Sequence, residues 1–281
     1  MLNNNQTVEN QVFSEERALY GVKNILVKNC KFQGKEDGES ALKECSNVKV
    51  ENCFWDLRYP FWHDTNLNIT STELSENCRA ALWYSKYINI SKSKLHGIKA
   101  LRECSNIQID DTDIISDEFG WMSKNIKITN SKITSSYVLI KKKNIFLSNF
   151  ELNGKYSFQY VKNAKIFDSK LNTKDAFWHG ENIEIVNCEV NGEYLGWYSK
   201  NLTFRNCTIK GTQPFCYCKN LKLINCKMID TDLAFEKSEV FADITTPVIS
   251  IKNPYKGKII LPKVDELILT DTKAKCKIIR T

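Results

Sequence analysis

The chain reads as an all-β protein, a single-stranded right-handed parallel β-helix of about eleven to twelve coils, and three observations predict it. An asparagine recurs at a step of nineteen residues through Asn106, Asn125, Asn144, Asn163, Asn182, Asn201 and Asn220. Apolar residues sit one and three positions after the anchor, as in Ile107/Ile109, Ile126/Ile128 and Ile183/Ile185, with mostly polar residues between them. That is the period of a half-buried strand rich in β-branched side chains. Two further columns follow in step. One is small (Cys30, Cys53, Thr72, Ser93, Thr112, Ser131, Ser169, Cys188, Cys207, Cys226), with Phe150 as its exception. The other is apolar (Phe32, Trp55, Leu74, Leu95, Ile114, Ile133, Leu152, Leu171, Val190, Ile209, Met228).

Three short strands and three turns in one unit cannot bury a face alone, but stacked units can. Coils then rise by one strand spacing, about 4.8 Å. Right-handed crossovers are the rule for parallel strands, which sets the expected hand. Earlier units open at Asn24, Asn47, Asn66 and Tyr87, with less regular steps. Asparagines at turns such as Asn106, Asn125, Asn187 and Asn206 tolerate left-handed backbone, and their stacked amides can bond as a ladder. The small column fits a tight inward corner, so Cys188, Cys207 and Cys226 read as buried packing thiols. Residues 1–20 are expected as an N-terminal cap, 21–238 as the repeats, and 239–281 as irregular last coils with a C-terminal cap. Pro247, Pro254 and Pro262 break the period there. All belong to one domain.

Composition narrows the function. The 281 residues carry 40 Lys+Arg against 33 Asp+Glu, a formal charge of +7 spread along the chain. No run of five or six like charges marks a nucleic-acid or membrane tail. The longest basic run, Lys141-Lys142-Lys143, reads as a solvated turn. No apolar stretch approaches the ~18 residues of a membrane span, and the first residues show no secretory pattern, so a cytoplasmic protein is expected. The 11 cysteines then read as reduced thiols. No P-loop or dinucleotide glycine pattern appears, so no cofactor is expected. Cys216 and Cys218 lack a second pair of zinc type, so no metal is expected.

The fourth residue before the anchor is Trp62, Trp83, Trp121, Trp178 or Trp197 in five of the coils, and the residue before that is usually Phe, Leu or Gly. Neighbours in a strand point to opposite faces, so one of these two apolar columns must face out unless a bulge intervenes. Gly120 and Gly196 precede Trp121 and Trp197 and could mark such a local change. The column three before the anchor holds Glu44, His63, Tyr84, Glu103, Tyr160, His179, Tyr198 and Tyr217. Three readings stay open: interior aromatic stacking, an exposed platform for a sugar chain or a partner protein, and a face covered by a terminal segment. On the platform reading the binding residues are Trp62, His63, Trp83, Tyr84, Trp121, Trp178, Trp197 and Tyr198.

"ERALY" at 16–20, "KDAFWH" at 174–179, "GEYLGWYS" at 192–199, "GTQP" at 211–214, "DLAFE" at 232–236 and "SIKNP" at 250–254 together resemble an uncharacterised bacterial family. It is known as a domain of unknown function with a pectate-lyase-like right-handed β-helix. The resemblance spans nearly the whole chain. It implies the fold and a bacterial cytoplasmic setting, and it carries no catalytic residues over.

Fold analogy alone would suggest polysaccharide chemistry, which is weak warrant. The motifs of polygalacturonase-like hydrolases, a "GHG" and an "RIK", are missing. Asp110, Asp111, Asp113 and Asp117 are scattered over different faces of one coil. No acidic cluster of pectate-lyase type repeats on one face. If a catalytic set exists, His179 with Asp175 and Lys174 is the candidate; His63 with Asp64 and Trp62 is a separate one. Arg102 and Glu103 echo Lys43 and Glu44 ("ALREC", "ALKEC") and read as surface ion pairs. The expectation is therefore a non-catalytic carbohydrate- or partner-binding protein, monomeric or homodimeric. A hydrolase or lyase and a self-assembling scaffold are the alternatives.

Overall fold

The computed structural model describes residues 6–35 and 38–281, and no helix occurs among them. Strands pair in parallel throughout, and the chain divides into two compact units, 1–139 and 140–281. Both are parallel β-helical solenoids.

In the first unit the strands after each corner asparagine form one ladder. Ser46–Glu51 lies between Lys23–Lys28 and Thr65–Thr70, and Lys86–Ser91 pairs on to Ser105–Asp110 and Lys124–Thr129. A second face carries shorter strands, from Val12–Phe13 to Lys132–Val138. A third holds Phe61–Trp62, Leu82–Trp83 and Leu101–Arg102 in register. The first described residues stack on the coil that follows, with Gln6–Glu9 paired to Ile25–Lys28 and Val12–Phe13 to Lys31–Phe32. Coils of nineteen residues superimpose column on column, and the longer steps from Asn24 to Asn47 and from Asn66 to Tyr87 keep the same strand register.

The second unit repeats the first two faces. Lys143–Ser148, Lys162–Phe167, Glu181–Val186 and Lys200–Arg205 form the main ladder, and Leu221–Ile229 extends it. Strands continue through 239–281: Glu239–Ile244, Lys256–Leu261 and Lys277–Arg280 stack in turn, beside Val248–Lys252 and Val264–Ile268. That stretch is more regular than its prolines suggest. Pro254 and Pro262 fall just outside strands, where a missing N–H breaks no ladder.

Corner chemistry follows the sequence columns. The anchor asparagines have positive φ, for example 58° at Asn106 and 56° at Asn182. Their amides form ladders, with Asn47 Nδ2 donating to Asn24 Oδ1 at 2.8 Å and Asn66 to Asn47 at 2.7 Å. In the second unit Asn163, Asn182, Asn201 and Asn220 each donate to the asparagine one coil before, at 2.8–3.4 Å. Asparagine suits the position twice: it accepts left-handed backbone, and its amide both donates and accepts.

The small column points inward and is buried. Its hydroxyls take backbone N–H groups of the adjacent coil, as Ser93 Oγ does from Thr72 N (3.2 Å) and Ser131 Oγ from Thr112 N (3.1 Å). Burial pushes the thiol pKa of Cys45, Cys78, Cys104 and Cys216 up to about 12. Every cysteine is free, and all but Cys276 are buried. The expected result with a thiol-specific chromogenic reagent is that at most one of the 11 thiols reacts quickly in the native protein and all react after denaturation. Several fast native thiols would contradict this packing.

Candidate functional site

The side-by-side apolar columns sort cleanly. Phe61, Leu82, Leu101, Phe158, Phe177 and Phe215 are inside at 0 % exposure. The tryptophans after them point outward and are half-buried, with Trp121 the most open at 38 %. In the first unit this follows from simple strand alternation. In the second unit no strand forms there. Phe158, Phe177, Gly196 and Phe215 take positive φ, 58–72°, so the chain turns instead of extending. Gly120 and Gly196 mark that turn, at φ 76° and 72°, but phenylalanine adopts it as well. The residue three before the anchor is left-handed in both units, as at His63, Tyr84, His179 and Tyr198. That corner throws its side chain outward.

In the first unit the exposed faces of the Trp pair are already occupied. Trp62 and Trp83 stack at 5.3 Å with 10° between planes. The Lys43 ammonium sits 4.1 Å from the centre of the Trp62 ring, and the Arg102 guanidinium 4.5 Å from that of Trp83. The echoing "ALKEC" and "ALREC" segments therefore bracket the pair with cations at both ends. Glu44 accepts the Tyr20 hydroxyl at 2.7 Å, whereas Glu103 belongs to the bracket, accepting Arg102 Nε at 3.2 Å and Trp83 Nε1 at 3.4 Å. His63 stacks on Tyr84 at 4.8 Å. Asp64 points the other way and is fully buried, with Oδ1 accepting Cys45 N at 2.6 Å. His63 and Asp64 are thus on opposite sides of the wall. Arg102→Met is expected to lower stability by about 0.5–1 kcal/mol, the size of a half-exposed cation–π contact, in urea unfolding. No change would show that the bracket is incidental.

In the second unit Trp178 and Trp197 stack at 5.4 Å, and their indole N–H groups are spent on Tyr194 O and Gln213 O, at 2.5 and 2.8 Å. Beside them runs a row of four rings. Tyr160, His179, Tyr198 and Tyr217 follow one another at 4.9, 5.1 and 4.7 Å, within 7–9° of parallel. Tyr160 is 47 % exposed and Tyr198 49 %. Because the rings cover one another's faces, the row offers edges: three phenol hydroxyls and an imidazole. None of the three hydroxyls has a hydrogen bond among the described residues. Burial, then nearby Glu236, raises the Tyr217 pKa.

The candidate catalytic residues make different contacts. Lys174 Nζ pairs with Glu193 at 2.8 Å, and that contact is the main cause of its raised pKa. Asp175 lies at a left-handed corner with its side chain buried; desolvation raises its pKa and Lys174 moderates the rise. His179 is sandwiched between two tyrosines. No hydrogen bond joins any two of the three among the described residues. The histidine with a carboxylate partner is another one: His96 Nε2 lies 2.9 Å from Asp113 Oδ2, in the first unit. The sequence hinted at that pair only through columns one coil apart. No cluster of three or more metal-ligating side chains occurs among the described residues.

An open groove of about 680 Å³ lies on the outer face of the second unit's main ladder. The asparagine ladder from Asn144 to Asn201 lines one side; Phe146, Lys165, Glu184 and Thr203, one per coil, line the other. The same coils carry Tyr160, His179 and Tyr198, three residues before Asn163, Asn182 and Asn201. Ring row and groove therefore flank one corner.

Comparison with curated protein sequences finds no match. Among solved structures, the chain is similar to the surface adhesin PfbA of Streptococcus pneumoniae. Identity is 11 % and the TM-score 0.39, over 79 % of this chain and 71 % of that one. It is also similar to the A-module of the mannuronan C-5 epimerase AlgE4 of Azotobacter vinelandii, at 9 % identity and a TM-score of 0.32, over 97 % and 87 %. A family model matches residues 6–279, so the resemblance carried by the aromatic and turn segments is one of descent: the chain belongs to the DUF3737 family, proteins of unknown function.

Proposed function

We propose that the protein is a non-catalytic binding protein that holds an extended glycan along the ring edges of Tyr160, His179, Tyr198 and Tyr217. One observation carries the reading: four stacked rings, three of them exposed, repeat at 4.7–5.1 Å, and their three phenol hydroxyls are unspent among the described residues. A polymer of sugars offers hydroxyls at a comparable repeat, and each can donate and accept. The Trp178/Trp197 pair in the same unit is not itself offered to the ligand, because the two rings stack on each other and their indole N–H groups are spent on Tyr194 O and Gln213 O. A general base is oriented by a partner, and His179 has no carboxylate hydrogen-bonded to it among the described residues, which supports binding without turnover. Incubation with panels of neutral and acidic oligosaccharides is expected to give saturable binding and no new reducing ends or unsaturated products. Product formation, lost in a His179→Ala variant, would replace this reading with an enzyme.

A further inference from the structure

We infer that the groove beside the ring row is the seat of the ligand's main chain, and that it selects a neutral, hydroxyl-rich, extended oligosaccharide. The inference rests on the glycan-binding reading above and gives it a place and a charge.

The asparagine wall is built to repeat. Asn163 donates to Asn144 and accepts from Asn182, and Asn182 accepts in turn from Asn201. An amide has two N–H donors and two lone pairs on its oxygen. Each of these two asparagines therefore keeps one donor and one acceptor to offer, once per coil. Sugar hydroxyls, which do both, complement such a wall. A strictly accepting chain such as a polyphosphate does not.

The facing wall balances its charge. Lys165 and Glu184 are direct neighbours on adjacent strands, and Thr203 follows Glu184 in register. Neither Lys165 nor Glu184 forms an ion pair among the described residues. One cation and one carboxylate sum to zero, so the groove carries no field that would favour a polyuronide over a neutral chain. Both remain to bond hydroxyls. The four coils from Asn144 to Asn201 make three steps of about 4.8 Å, roughly 14 Å, or about three sugar rings in an extended chain. The volume lies within the range of small-ligand sites.

The test is calorimetric titration of the full chain with β-1,4-linked gluco-oligosaccharides of increasing length, and with trigalacturonate, at low and high salt. The expected result is affinity that rises with length up to about three residues, as the groove length dictates, and changes little with salt. Thr203→Trp, which fills the groove from an outward position, should weaken binding by at least about tenfold while leaving the melting temperature unchanged. Should that variant unfold, Lys165→Ala serves instead, with an expected loss of several-fold. Tyr198→Phe separates the two claims. Binding that is weakened by Tyr198→Phe but untouched by both groove variants overturns the groove and leaves the ring row standing. Trigalacturonate bound more tightly, with affinity falling as salt rises, overturns neutral selection. No binding of any of these sugars overturns both readings.

Discussion

Replacing Asp64 by asparagine is expected to stabilise the protein at pH 8 by several kcal/mol and to change little at pH 4. Asp64 is fully buried in an inward column that otherwise holds Cys45, Ser85, Cys104 and Ser123. Its Oδ1 accepts Cys45 N, its own N–H donates to Ser85 Oγ at 3.0 Å, and its Oδ2 has no hydrogen-bond partner. Desolvation raises its pKa from 3.8 to about 8, and Glu44 adds to the rise against the opposing Cys45 N–H. The folded protein therefore keeps a proton between those two values that the unfolded chain has released. Where the native state binds more protons, stability falls with rising pH. The neutral form's contribution is complete below about pH 4, declines across the window and is lost above about pH 8. At about 1.4 kcal/mol per unit, the full shift is on the order of several kcal/mol. Asparagine keeps the acceptor and the shape without a charge to desolvate. Denaturant unfolding at pH 4, 6 and 8 should show a pH slope in the wild type and a flatter one in Asp64→Asn. Equal slopes would mean that Asp64 is ionised and solvated in the fold.

The second large effect is steric. Gly192→Ala should cost at least about 3 kcal/mol, because overpacking against backbone cannot relax by moving a side chain. A Cβ at Gly192 would lie 1.4 Å from Thr173 O, one coil away. Gly211 repeats the contact one coil on, 2.0 Å from Gly192 O. Gly21 is the control: a Cβ there meets nothing within 4 Å, and only its φ of 69° is unfavourable. Gly21→Ala should cost about 1 kcal/mol, the usual size of that backbone penalty. Similar losses at both sites would show that coils 173 and 192 are not in the contact described.

These expectations depend on columns, and the columns were legible in the sequence. A nineteen-residue period aligned on asparagine located the corners, the inward Ile/Val pairs and the thiols before any coordinate was known. The facing of Trp178 and Trp197 was not legible. Phe177 and Trp178 are adjacent and both apolar, so alternation alone leaves two answers. Packing decides between them: the Phe177 ring stacks inside on Phe158 and meets Phe204 edge-on, and the indoles of Trp178 and Trp197 go outside, where Tyr194 O and Gln213 O take their N–H groups. The basic residues of "ALKEC" and "ALREC" were visible as an echo, and the ion pair read there forms between Arg102 and Glu103. Their role as ring covers depends on which coils are neighbours, and the irregular steps before Asn106 blur that. Lys174, Asp175 and His179 lie close in sequence, and their contacts differ: Lys174 pairs with Glu193, Asp175 is buried and His179 stacks between Tyr160 and Tyr198. In the terminal stretches prolines and a lost period hide the register, yet coils of different length still stack, as Glu239–Ile244 does on Lys256–Leu261.

The central claim is that the edge of the ring row meets the ligand. Its most direct test is calorimetric titration of a variant combining Tyr160→Phe, Tyr198→Phe and Tyr217→Phe against the tightest-binding oligosaccharide. The substitutions keep every ring stack and remove only the three hydroxyls. The predicted result is a loss of about 2–4 kcal/mol in binding free energy, the sum of three modest hydrogen bonds, with an unchanged melting temperature. Wild-type affinity in the triple variant would contradict the claim.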